Sequence, residues 1–85
     1  MASFTNITGR ELIKFITSLG YRLERQNRGN HRVYTHNTKK TIIVPVYKKK
    51  AVKIGLLSGI LKDIGISKAE FINSINYLTF APKTK

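Results

Sequence analysis

Two helix-start signals of identical spacing, Thr8-Gly9-Arg10-Glu11 and Ser67-Lys68-Ala69-Glu70, stand near opposite ends of the chain. In each, a hydroxyl and a carboxylate three residues apart can satisfy each other's orphaned backbone amides, so a helix is expected to begin at both. After the first signal Leu12, Ile13, Ile16 and Leu19 recur at helical spacing, while Lys14 and Ser18 fall on the other face. Gly20 suits a left-handed cap, and these features together predict a helix over residues 9–19.

Between the signals the period changes. Tyr21 and Leu23 alternate with Arg22 and Glu24 in a first strand, and Asn27-Arg28-Gly29-Asn30 is turn chemistry. A second strand is expected over residues 31–35, followed by the polar turn His36-Asn37-Thr38-Lys39 and a third strand at Thr41-Ile42-Ile43-Val44. Pro45 has no amide to give a ladder, so this strand either ends there or turns that position to a free edge. Ile42 and Val44 fall on one side and Ile43 on the other, so Ile43 either is covered by the fold or faces a partner.

Tyr47 to Lys53 is expected as a loop. Leu57, Ile60, Leu61 and Ile64 then describe one helical face, which Gly65 stops. Gly59 weakens that helix by about 1 kcal/mol relative to alanine. The last helix carries Phe71, Ile72 and Ile75. The expected fold is an α+β two-layer sandwich of order α-β-β-β-α with a short extra C-terminal helix. One domain spans residues 1–85, with a core at about 8–76 and a tail at about 77–85, frayed from Ala81.

A chain of 85 residues buries only about 60% of the surface its unfolded state exposes, so its core is small. The absence of cysteine removes disulfide staples and thiolate metal sites, which suits a reducing, cytoplasmic setting. No export signal is expected, and no membrane span, since the longest apolar run, Ile42 to Val46, is five residues.

Sixteen Lys and Arg against four Asp and Glu give a formal charge of +12 and make nucleic acid the leading partner. The charge is concentrated: Arg22, Arg25, Arg28, Arg32, Lys39, Lys40, Lys48, Lys49, Lys50 and Lys53 lie between Arg22 and Lys53, with Glu24 the only acid. Phosphate could lie where Lys48, Lys49, Lys50 and Lys53 lead into the helix opening near Ile54-Gly55-Leu56; equally, the loop could be simply solvated.

For chemistry near neutral pH the side chains are few. His31 and His36 are the only imidazoles, and Glu11, Glu24, Asp63 and Glu70 are scattered, two of them at caps. Paired-carboxylate hydrolysis is therefore disfavoured, and two histidines without further ligands make no zinc site, so neither metal nor cofactor is expected. Ser58 and Ser67 have helical roles and no His–acid partner nearby. His31 follows Gly29-Asn30 at a strand start between Arg28 and Arg32, where it is either a phosphate-facing acid or base or an ordinary polar residue at a junction. RNA carries its own nucleophile, the 2′-hydroxyl, so one proton-exchanging group beside cations is enough for cleavage. His36 is expected to be a solvent-facing turn residue. Tyr34 and Tyr47 either meet RNA or pack.

Several segments in order, Gly9-Arg10-Glu11-Leu12-Ile13, Leu19-Gly20-Tyr21, Arg25 to Gly29-Asn30-His31, Val44-Pro45-Val46 and Ile60-Leu61-Lys62-Asp63-Ile64-Gly65-Ile66-Ser67, resemble the HicA family of mRNA-cleaving toxins. The resemblance runs from about Thr8 to Ile72. It implies a fold similar to the double-stranded RNA-binding domain, metal-independent mRNA cleavage with His31 as the catalytic residue, and neutralisation by a HicB-type antitoxin. Asn30 stands where relatives usually have serine, and Tyr47 where they often have a second histidine. The expected RNA-binding set is Arg22, Arg28, Asn30, Arg32, Tyr47, Lys48, Lys49, Lys50 and Lys53. The competing readings are a non-catalytic double-stranded RNA-binding module or an inactive toxin relative, with a small basic DNA-binding or ribosomal protein third.

Overall fold

The Thr8 hydroxyl accepts the Glu11 amide at 3.2 Å and the Glu11 carboxylate accepts the Thr8 amide at 2.9 Å, so the first capping box forms as the sequence spells it. The structure is a computed structural model that describes residues 4–26, 29–47 and 50–80. Behind the cap runs α1, Gly9–Ser18. It ends with the amide of Gly20 donating to Thr17 and that of Tyr21 to Ile16, Gly20 taking φ 101°. The helix α2, Ile54–Ile64, ends in the same two-bond pattern around Gly65.

Three antiparallel strands, β1 Arg22–Gln26, β2 His31–Thr35 and β3 Ile42–Pro45, form a sheet in the order β1-β2-β3. Leu23 pairs with Tyr34 and Arg25 with Val33, leaving Glu24 as the extra residue of a bulge. In the second ladder His31 pairs with Pro45, Val33 with Ile43 and Tyr34 with Ile42. Pro45 thus closes β3, which is an edge strand.

The helices cover one sheet face. Tyr34, Ile42 and Val44 meet Leu12, Phe15, Ile16, Leu57, Ile60, Leu61, Phe71 and Ile75 in a single core to which β1 contributes no residue. Leu23 is accordingly 51% exposed, although the alternation in its segment reads as half-buried strand. Phe15 and Phe71 meet edge to face with ring centroids 4.9 Å apart, joining α1 to the last helix, α3, Lys68–Phe80.

That last helix corrects one expectation. It has 13 residues against 10 for α1 and 11 for α2, and so is not short. Its start is the one expected: the Ser67 hydroxyl accepts the Glu70 amide at 3.1 Å, and the Glu70 carboxylate accepts the Ser67 amide at 3.3 Å. Fraying from Ala81 concerns positions outside the described residues.

The end of the basic loop is tied down. Ala51 bridges to Thr8, and the amide of the buried Val52 donates to the Ile7 carbonyl at 2.6 Å. Segments 7–9, 45–46 and 51–52 therefore meet, and that junction positions the site.

Candidate active site and nucleic-acid interface

His31 is held by its backbone and exposed at its side chain. Gly29, at φ 77°, makes the left-handed turn that leads into β2, and the Asn30 carbonyl accepts the Val46 amide at 2.7 Å. His31 then pairs with Pro45 in the central strand. Its imidazole is exposed and makes no hydrogen bond to any described residue. Such a ring can give or take a proton from a ligand without breaking a contact of the fold.

Beside it lies a cleft of about 510 Å³. The structure brings His31, Tyr47, Lys50 and Lys53 together there, with Pro45, Ala51, Val52 and Leu56 completing the wall. The site is assembled from the ends of two paired strands, the tied loop and the first turn of α2. Lys53 is the residue preceding that helix, and among the described residues no side chain caps its first turn.

Two residues of the expected set, Arg32 and Arg22, lie away from the cleft. Successive strand residues point to opposite faces, so Arg32, paired with the buried Val44, projects away from the side His31 takes. Arg22 pairs with Thr35 at the far end of β2, about 13 Å along the strand at ordinary rise, and donates to the Asn37 side chain at 3.2 Å. Asn30 is exposed beside His31. Arg28, Lys48 and Lys49 lie outside the described residues.

The second imidazole is used differently. His36 is half-buried, not solvent-facing: its Nε2 lies 2.9 Å from the Leu19 carbonyl oxygen, and its Nδ1 accepts the Thr38 amide at 3.0 Å. An acceptor at Nδ1 and a carbonyl at Nε2 fit the neutral tautomer with its proton on Nε2. The ring also sits 4.9 Å from that of Tyr21. His36 thus joins the β2–β3 turn to the end of α1.

Tyr34 is resolved as a core residue, whereas Tyr47 is 44% exposed in the cleft. All four carboxylates have local partners. Glu11 and Glu70 serve the caps, Glu24 lies 3.7 Å from Arg25, and Asp63 lies 3.6 Å from Lys40. Among the described residues no three of His, Cys, Asp and Glu converge on a point where a metal ion would sit. Nor, among the described residues, is any helix long and apolar enough to cross a membrane.

Sequence reasoning missed Leu56. It is 41% exposed and lines the cleft. The signal was present, because Leu56 falls off the stripe formed by Leu57, Ile60, Leu61 and Ile64, which makes it an apolar residue on a face the core does not need.

Among curated proteins none matches the chain. A family model, that of the HicA toxin of bacterial toxin–antitoxin systems, matches residues 9–66 of the 85. The matched span opens at the first turn of α1, takes in the whole sheet and the cleft, and closes just after the Gly65 stop of α2. Sequence pattern, element order and family match agree, and the chain belongs to the HicA toxin family of bacterial toxin–antitoxin systems.

Proposed function

We propose that this toxin is an endoribonuclease that cleaves mRNA in the cytoplasm without a metal ion, with His31 as its catalytic residue. The observation that carries the proposal is the contrast between the two histidines: His36 is engaged at both ring nitrogens, whereas His31 has an exposed ring in a cleft with two lysines. The 2′-oxygen of one nucleotide attacks the adjacent phosphorus, forming the new O–P bond as the bond to the 5′-oxygen breaks. His31 either takes the proton from the attacking oxygen or supplies one to the departing oxygen, and water completes the other transfer. Lys50 and Lys53 stabilise the charge that builds on the phosphorane. The products are a 2′,3′-cyclic phosphate and a 5′-hydroxyl. Arg22 and Arg32 serve the RNA strand outside the reacting centre, and Arg28, Asn30, Lys48 and Lys49 complete the RNA-binding set.

A HicB-type antitoxin is the proposed neutralising partner. Ile43 is 50% exposed on the sheet face that the helices leave open, opposite Val33. The His31–Pro45 pair lies two positions further along the same ladder, about 7 Å away. A partner seated on Ile43 would therefore reach the cleft, and the charge of +12 favours an acidic one.

Tyr47 gives a second reading some support, because it leaves the cleft with a single imidazole among the described residues. In that reading the chain binds double-stranded RNA without cutting it. Purified protein incubated with mRNA and excess chelator separates the two: fragments support the ribonuclease, and saturable binding with intact RNA supports the binding module.

A further inference from the structure

A site meant only for phosphate needs cations and hydrogen-bond donors; it has no use for apolar surface held open to water. The cleft beside His31 has both. Lys50 and Lys53 supply charge, while Tyr47 and Leu56, 44% and 41% exposed, line the same hollow. Leaving such surface in water is unfavourable, and its position inside a concave site marks it for an apolar ligand face. At about 510 Å³ the cleft falls within the range of sites for single small molecules.

A duplex cannot present such a face. Its bases are stacked and paired within, and what a protein meets outside is phosphate, sugar and shallow groove edges. An unpaired nucleotide can turn its base out against an aromatic ring while its phosphate stays among lysines. Unstacking also frees the 2′-oxygen to move into line with the departing 5′-oxygen, an alignment that the A-form backbone opposes.

We propose that the cleft takes one unpaired nucleobase of RNA, stacked on Tyr47 and packed against Leu56, from the nucleotide adjoining the scissile phosphate. This rests on the ribonuclease reading and deepens it by naming the substrate class as single-stranded RNA. The polar side chains described in the cleft, His31, Tyr47, Lys50 and Lys53, are all exposed, so none of them is fixed by burial to read the edge of the base. Discrimination among the four bases is accordingly modest, set by stacking.

The test uses the full chain and one end-labelled RNA, free or annealed to its complement. Free RNA is expected to be cut at least about tenfold faster than annealed RNA, and Tyr47→Ala to slow cutting of the free strand by about tenfold or more, with Tyr47→Phe close to wild type. A second arm is independent of cleavage. In the His31→Ala background, RNA carrying 2-aminopurine changes fluorescence when its base stacks, and Tyr47→Ala or Leu56→Ser should remove that change. Equal cutting of free and annealed RNA overturns the proposal while the ribonuclease reading stands. If neither RNA is cut, the ribonuclease reading fails, and the fluorescence arm still decides on the cleft: a change insensitive to both substitutions, or no change on binding, overturns the proposal.

Discussion

Gly9 lies against Pro45 so closely that a β-carbon on Gly9 would come within 2.5 Å of the Pro45 carbonyl oxygen and 3.1 Å of the Val46 α-carbon. The first turn of α1 thereby rests on the end of β3, where Pro45 pairs with His31. Because the obstacle is backbone, it cannot be relieved by a rotamer change. Gly9→Ala is expected to destabilise the fold by about 1–3 kcal/mol and to lower RNA cleavage at temperatures where it remains folded. Denaturant unfolding beside a cleavage assay checks both effects.

The two histidines should separate in opposite directions. His36→Ala removes the links to Leu19 and Thr38 and should cost about 1–3 kcal/mol of stability, with cleavage retained by the folded fraction. His31→Ala touches no described hydrogen bond and should unfold within about 0.5 kcal/mol of wild type while losing cleavage. Thermal melts and RNA assays on the two variants make the comparison.

Tyr21 ties stability to alkaline pH. Its hydroxyl donates to the Lys40 carbonyl at 2.7 Å. Burial first, and then the nearby Asp63 charge, push its pKa above the ordinary value of 10.0. A phenol harder to ionise when folded contributes stability that is fully present below about pH 10 and is lost as pH rises through the raised value. Lysines titrate in the same range, so the readout is the difference between wild type and Tyr21→Phe. That difference should hold up to about pH 10, where the unfolded chain begins to ionise, and shrink as pH rises beyond it.

In α2, Gly59 is exposed within the helix, with nothing inside 4 Å of where a β-carbon would stand. Gly59→Ala should therefore stabilise the protein by about 0.4–1 kcal/mol. A raised denaturation midpoint at unchanged slope would show it.

The elements legible in the sequence are those fixed locally. Thr8 with Glu11, Ser67 with Glu70, Gly20 and Gly65 each act within a few residues, and the helix ends they set lie at or within a residue of where they are read. The length of α3 was harder to see, because Asn73, Ser74 and Asn76 interrupt its apolar pattern. The exposure of Leu23 depends on how far the helical layer reaches across the sheet, and the bulge at Glu24 on the β1–β2 register; neither has a local signature. In the site, His31, Tyr47, Lys50 and Lys53 line one cleft, an arrangement that depends on the tie between residues 7–8 and 51–52 and has no local signature. Arg32 does not join them, although strand alternation alone places it opposite His31, and Arg22 is separated by the length of β2.

The most direct test of the central claim is the rate at which purified His31→Ala cuts mRNA in excess chelator, measured against wild type with folding verified for both. Wild type should yield fragments ending in 2′,3′-cyclic phosphate, and His31→Ala should be slower by about 100-fold or more. Cleavage by a folded His31→Ala protein at the wild-type rate would contradict the assignment of the chemistry to His31.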